Sequence, residues 1–345
     1  MHMADALVSP AVGGAMWAAT AGLTAYSAKK LKNDLDEHQV PLMGVLGAFI
    51  FAAQMINFTI PGTGSSGHLA GGMLLAILLG PYAAFITMAS VLTVQALFFA
   101  DGGLLALGCN IINMGFFPCF LAYPLIYQKI VRHQPTPGRI LLGALVASIL
   151  ALQMGALGVV LETFFSGLAE LSFSAFLLLM QPIHLAIGIV EGLVTAAVVS
   201  FVWKAHPEIL ARTPSPAAAR VHSHKPLLLG LALFALVAGG LLSWFASTHP
   251  DGLEWSIKGV SGQEELEAPK QGVHGALARI QEQLSFLPDY DFKKPVAETV
   301  GKQAESWPDL NTGKSLAGIL GASMTLLLAG VIGFGLRRYC SHSKR

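Results

Sequence analysis

The chain has 345 residues, of which 54% are hydrophobic and 12% are charged, and its mean hydropathy is +0.61. This balance excludes a soluble globular protein and indicates a membrane protein with many spanning helices. A net charge of +1 offers no basic surface to a nucleic acid, so we expect no nucleic-acid partner. The three cysteines include no CxxC pair, which argues against a disulfide framework and a cysteine metal site.

Apolar runs separated by charged or Gly/Pro-rich breaks predict nine helices. They cover residues 11–28, 41–60, 69–80, 83–100, 104–130, 139–161, 175–203, 226–247 and 316–336. The predicted fold class is therefore all-α, a polytopic membrane protein with about nine transmembrane helices. The third run has only eleven residues from Leu69 to Leu79, too few to cross about 30 Å of hydrocarbon.

A glycine-rich stretch, residues 61–72, lies between the second and third apolar runs and contains His68. Because the third run is short, we expect this stretch to lie below the membrane surface. Irregular backbone at that depth is tolerated only where protein buries it or where it lines a cavity. An ionisable side chain in such a cavity indicates a binding site.

The distribution of Lys and Arg predicts the orientation in the membrane. The basic residues outside residues 248–315 all fall on one predicted side, which we assign to the cytoplasm together with the C-terminus. The N-terminus and the 248–315 loop, whose net charge is −4, are then extracytoplasmic. We divide the chain into a seven-helix metal-binding transport module (1–206), a cytoplasmic linker (207–225) and a two-helix accessory module (226–345).

This topology places the N-terminus and the 61–72 stretch on the same side of the membrane. Met1 offers an α-amine, His2 a backbone amide and an imidazole, and His68 a second imidazole. Four nitrogens in one plane suit Ni(II) or Cu(II) better than Zn(II), which prefers a tetrahedron. Two histidines are few for a metal site, however. In the alternative interpretation, His2 is a loose terminal residue and His68 forms a hydrogen bond at the start of a helix.

Several segments resemble the nickel/cobalt substrate-binding component of energy-coupling-factor transporters, over residues 1 to about 205. These segments are Met1–Leu7, Gly64–Leu69, Asp101–Leu104, Leu107–Asn110 and His184–Gly192. A further segment, Pro250–Glu254 with the sequence PDGLE, resembles the small two-helix accessory component of the same transporters. The chain is therefore similar to a fusion of the two components.

The resemblance implies that the N-terminal segment folds into the bundle and that Met1, His2 and His68 bind Ni²⁺ or Co²⁺ as the transported substrate. It also implies a prokaryotic plasma (inner) membrane protein that works with a transmembrane coupling protein and an ABC-type ATPase. We expect no enzyme activity and no ATP site in this chain. Gly313–Ser315 matches the end of a P-loop, but Pro308 stands where its first glycine should be.

Four more polar residues, Asn57, Ser66, His184 and Glu191, are expected to support the ligands without binding the ion. His184 and Glu191 are seven residues apart on one helix face, and they form either a proton relay or a polar pair that joins helices. The alternative function is therefore a stand-alone proton-coupled carrier or channel for a divalent metal using these two residues. The sequence leaves open nickel against cobalt, contact of the 248–315 loop with the site, and the oligomeric state.

Overall fold

A computed structural model describes residues 1–34, 39–132, 135–210, 225–293 and 307–342, and it confirms an all-α membrane fold. The helices are α1 (Pro10–Asp34), α2 (Gln39–Gln54), α3 (Gly72–Leu79), α4 (Pro81–Phe98), α5 (Leu107–Val131), α6 (Pro137–Ser166), α7 (Phe173–Ala205), α8 (Lys225–Gly240), α9 (Gly252–Ser261), α10 (Gly272–Leu284) and α11 (Thr312–His342). Single helical turns occur at Asp5–Leu7, Pro207–Leu210, Leu242–Phe245 and Pro288–Tyr290. Most of the predicted linker 207–225 lies outside the described residues.

The nine predicted runs correspond to α1–α8 and α11. Helices α9 and α10 lie within the 248–315 loop and were not predicted. Within the described residues, five helices are long and apolar enough to cross a membrane, namely α4, α5, α6, α7 and α11. Helices α2 and α8 are apolar but have only 16 residues each. The predicted half-length helix 69–80 is confirmed as α3, with eight residues.

The second predicted helix, 41–60, is wrong in its last turn and a half. Helix α2 ends at Gln54, and the chain then forms an antiparallel hairpin of β1 (Phe58–Ile60) and β2 (Ser65–Gly67), paired from Phe58–Gly67 to Ile60–Ser65. The turn that joins the strands contains Gly62 and Gly64 at positive φ, a conformation that favours glycine. Hydropathy alone does not distinguish an apolar strand of this length from the end of a helix.

The N-terminal segment is part of the core, as the resemblance implied. Met3 is fully buried, and its backbone N–H donates to Asn110 Oδ1 at 2.8 Å while its carbonyl accepts from Gly103 at 2.9 Å. A Cβ on Gly103 would collide with Asp5, so only glycine allows this close approach. These contacts fix the position of Met1 inside the bundle.

The accessory module packs against the first module (residues 1–206) in two places. Within the membrane, α8 and α11 pack on each other and on α2, with Gly321 of α11 directly against the ring of Phe51. Outside the spanning helices, α9 packs on α7 and α10 packs on α4. We call the described part of the 248–315 loop that carries α9 and α10, residues 248–293, the outer segment. It covers the end of the bundle where the N-terminal segment enters.

We expect Gly321→Val to lower the melting temperature of the detergent-purified chain, because the new side chain would collide with Phe51. Overpacking of this kind typically costs about 1–3 kcal/mol. The matched control is Gly335→Val on the same helix, where an added Cβ meets nothing within 4 Å. Equal melting temperatures for the two variants would contradict the packing of α11 on α2.

Candidate metal centre

Met1, His68, His184 and Asp251 line one small cavity, whose remaining walls are apolar or glycine residues. The cavity lies where the N-terminal segment, the hairpin, α7 and the start of α9 meet. Met1 is 6% exposed and His184 is 1% exposed, so polar atoms here are largely removed from water. The structure thus brings Met1 and His68 together and adds two residues, one from α7 and one from the accessory module.

Asp251 is the contact between the accessory module and the N-terminal amine. Its Oδ2 lies 3.2 Å from the Met1 nitrogen in an ion pair. Its Oδ1 accepts hydrogen bonds from the backbone N–H groups of Leu253 and Glu254 at 2.7 and 2.9 Å, which caps α9. Glu254 in turn accepts from the Asp251 backbone N–H at 2.9 Å, completing a capping box. One carboxylate oxygen is therefore structural and the other faces the cavity.

One ring nitrogen of His68, Nε2, lies near the Asp251 carboxylate. Its Nδ1 lies 3.1 Å from the Leu69 carbonyl oxygen, and since a carbonyl only accepts, this nitrogen carries the proton. The Nε2 atom, 3.9 Å from Asp251 Oδ2, then holds a free lone pair in the neutral ring. Burial and the positive N-terminal amine lower the pKa of His68 to about 3, which favours this neutral form at pH 7.

The charge state of Asp251 follows from its neighbours. Burial acts to raise the pKa of its carboxyl, but the N-terminal ammonium and His68 outweigh that effect and hold the pKa below its usual value. The carboxylate is therefore ionised in the cavity and neutralises the amine.

His2 stacks on His68, with ring centroids 5.2 Å apart and the ring planes 26° apart. Its Nε2 donates to Gln95 Oε1 at 3.2 Å, and its Nδ1 lies 3.5 Å from Asp101 Oδ1. Gln95 is itself held by a bond to Gln54. Burial lowers the pKa of His2, despite the nearby Asp101 carboxylate. The ring is therefore fixed beside His68, with one nitrogen facing Gln95 and the other facing Asp101, neither of which lines the cavity.

His184 and Glu191 do not act on each other within the described part of the chain. His184 Nδ1 donates to the Met180 carbonyl at 2.8 Å, so its lone pair is on Nε2, which is buried in the cavity wall without a protein partner among the described residues. Glu191 instead accepts from the backbone N–H groups of Ala70 and Gly71 at 2.7 and 3.2 Å. Glu191 thus holds the turn that follows His68, before α3.

Ser66 and Asn57 contact the accessory module rather than the cavity. Ser66 Oγ donates to the His249 carbonyl at 2.7 Å, and the Ser66 backbone N–H donates to the Pro250 carbonyl at 2.8 Å. The Asn57 carbonyl accepts from the Ser247 backbone N–H at 2.8 Å. The hairpin therefore holds the segment just before Asp251. Through Asp251, the 248–315 loop contacts the candidate site.

Sequence reasoning missed Asp251, Gln95 and Asp101 as residues of this site. Asp251 belongs to a D-x-x-E capping pattern, and that pattern predicts only the start of a helix. Gln95 lies on α4 and donates a hydrogen bond to Gln54 of α2, but its contact with His2 depends on the buried N-terminal segment.

Comparisons with known proteins identify both parts of the chain. The family model described as the cobalt uptake substrate-specific transmembrane region matches residues 2–209, and the PDGLE domain matches residues 225–338. A fused nickel transport protein NikMN of Rhodobacter capsulatus is 33% identical over 312 residues, covering 84% of this chain and 88% of the relative. A putative fused nickel transport protein NikMN of Archaeoglobus fulgidus is 36% identical over 223 residues, covering 63% of this chain and 70% of the relative.

A solved structure supports the same assignment for the first module. The crystal structure of a truncated transition metal transporter superposes with a TM-score of 0.53 at 32% sequence identity, covering 60% of this chain and 100% of the other. Since one family model matches more than half of its length, the chain belongs to the cobalt uptake substrate-specific transmembrane family, membrane transport proteins rather than enzymes, and carries a PDGLE domain in the same polypeptide.

Proposed function

We propose that the chain is the substrate-capture subunit of an energy-coupling-factor transporter for uptake of Ni²⁺ or Co²⁺, with Ni²⁺ as the first candidate. The observation that carries this proposal is the Met1 α-amine, which is buried at 6% exposure and shares a cavity with His68. A terminal amine is rarely enclosed in a protein interior, because termini usually lie at the surface. The names of the fused relatives as nickel transport proteins support the same substrate.

The proposed ligands are the Met1 amine, the His2 amide nitrogen, His2 Nδ1 and His68 Nε2. The bond from His2 Nε2 to Gln95 leaves the lone pair on Nδ1, the ring atom nearest the backbone and able to close a chelate with the amide. Two exchanges must accompany binding: the amine leaves Asp251, and His2 Nδ1 turns away from Asp101. Of the two proposed substrates, a planar set of four nitrogens favours Ni(II) over Co(II).

The remaining parts of the transporter lie outside this chain. We propose a transmembrane coupling protein and an ABC-type ATPase as partners, with the N-terminus and the outer segment extracytoplasmic and the C-terminus cytoplasmic. Glu191 accepts hydrogen bonds from two backbone amides, which supports a role in positioning the backbone. These bonds do not favour the alternative of a proton-coupled carrier that uses His184 and Glu191.

Adding one residue before Met1 should abolish Ni²⁺ binding, because the amine becomes an amide and moves out of the cavity. The measurement is nickel content and calorimetric affinity of the purified full chain. A chain with the same residue added after Arg345 is the control, and proteolytic removal of the N-terminal residue should restore binding. Undiminished binding by the extended chain would show that the amine is not a ligand.

The substitution His68→Ala should weaken Ni²⁺ binding by more than the roughly 10- to 100-fold that loss of a supporting residue costs, since it removes a ligand. His184→Ala should cost less affinity. Competition against a chromophoric chelator measures both, and His249→Ala, at an exposed position, controls for loss of any histidine. The reverse order of affinities would place the ion deeper, near α7.

The nickel-loaded protein should be diamagnetic and yellow-orange, because a planar four-nitrogen field gives low-spin Ni(II). Absorption spectra and magnetic susceptibility of the loaded protein measure this directly. A green, paramagnetic, six-coordinate species would refute the planar set, and with it the roles of the Met1 amine and the His2 amide.

A further inference from the structure

Two atoms of the cavity have no role in the proposed four-nitrogen set: Asp251 Oδ2 and His184 Nε2. We propose that they form a transient loading site, which receives the divalent cation first and passes it to the nitrogens of Met1, His2 and His68. This inference rests on the proposed function and specifies how the ion reaches its final ligands. It also assigns a chemical role to the accessory module in the same polypeptide.

Hydrogen bonds to backbone groups fix the orientation of both side chains. Asp251 uses Oδ1 to cap α9, and His184 uses Nδ1 to donate to Met180. In each case one polar atom is bound to backbone, and the other has no backbone partner: Asp251 Oδ2 is paired with the Met1 amine, and His184 Nε2 is buried in a residue that lines the cavity. His184 Nε2 has no partner in the described part of the chain and is buried, an arrangement that is costly unless a ligand or water satisfies it.

The two residues are also adjacent. Gly252, next to Asp251, packs so closely on α7 that a Cβ would lie 3.3 Å from His184 Cε1 and 3.2 Å from both Ile183 and Ile187. The segment before Asp251 is held by its bonds to Ser66. The backbone next to Asp251 is therefore in contact with α7 beside His184.

Charge supports loading through Asp251. Its carboxylate is the acidic group among the residues that line the cavity, where the other polar groups are the Met1 amine and the imidazoles of His68 and His184. The Asp251 side chain is 16% exposed, against 4% for Met1 and 10% for His68, so it is the most accessible of the three. A carboxylate is a suitable ligand for a partly hydrated divalent cation, and an adjacent imidazole adds a nitrogen donor.

Transfer is then an exchange of ligands without a redox step. When the cation binds Asp251 Oδ2, this oxygen releases the Met1 amine, whose nitrogen is 3.2 Å away. The ammonium gives its proton to water, and the lone pair of the amine then replaces the carboxylate oxygen on the metal, so that one metal–oxygen bond breaks as one metal–nitrogen bond forms. Because Asp251 and His184 lie on the path in both directions, their loss should slow association and dissociation together. Loss of Asp251 also removes the ion pair that competes with the metal for the Met1 amine, so the equilibrium affinity should not fall.

The test measures the rate of Ni²⁺ loading by stopped-flow absorption on the detergent-purified full chain. Asp251→Asn removes the charge while keeping a residue that caps helices well, so α9 should persist. We expect its association rate constant to fall by about tenfold or more, the range in which local charge controls association rates, with a dissociation constant that does not rise. Glu267→Gln, an exposed acid on the same outer segment, is the charge-matched control and should load at the normal rate.

His184→Phe removes Nε2 at similar volume and should also slow loading. If the two residues act as one site, the double variant should be no slower than the slower single variant, since residues that share one role are not additive. Circular dichroism and size-exclusion profiles check that each variant is folded. Should Asp251→Asn fail to fold, Asp251→Ser, which also caps helices, replaces it.

Three results would overturn the loading site. Loading at the normal rate by the Asp251 variant would show that the carboxylate takes no part, and faster loading would show that it blocks the cavity. A lower affinity with a normal association rate would make Asp251 a final ligand instead. If the unmodified chain bound no Ni²⁺ at all, the proposed function would fail. If the unmodified chain bound Ni²⁺ and the variant gave any of these three results, only the loading site would be contradicted.

Discussion

The site depends on the ion pair between the Met1 amine and Asp251. Both groups are largely buried, and a charge removed from water is tolerated only when it is paired and hydrogen-bonded. The amine pairs with the carboxylate, and the carboxylate is also bound to the backbone at the start of α9. The pair joins the first residue of the chain to a residue 250 positions later, so it exists only when both modules are folded and docked.

The remaining structure holds these two groups in place. On one side, Asn110 and Gly103 bind the backbone of Met3 and so fix the N-terminal segment inside the bundle. On the other side, Ser66 holds the segment before Asp251, and α9 packs on α7. Glu191 binds the backbone after His68 and thereby joins the hairpin to α7. Buried polar side chains in this bundle therefore serve mainly to position backbone, which explains their presence in apolar helices.

The accessory module contributes to the site as well as to the helix packing. In a chain with both modules, the carboxylate of Asp251 neutralises an amine that would otherwise be a buried positive charge. Fusion in one polypeptide keeps the local concentration of the accessory module high, because the second contact becomes intramolecular. The structure thus gives a physical reason for carrying both modules in one chain.

The sequence determined the membrane class, the helices and the half-length α3, because hydropathy and the positions of glycine and proline are local signals. It also placed Met1, His2 and His68 at one end of the bundle, since the orientation of each span follows from the one before it. Only the tertiary structure decided that a hairpin replaces the end of the second predicted helix, that Asp251 pairs with the amine, and which nitrogen of each histidine is free. These features depend on hydrogen bonds between distant segments, and no local pattern of hydropathy or charge specifies which distant backbone group a side chain will meet.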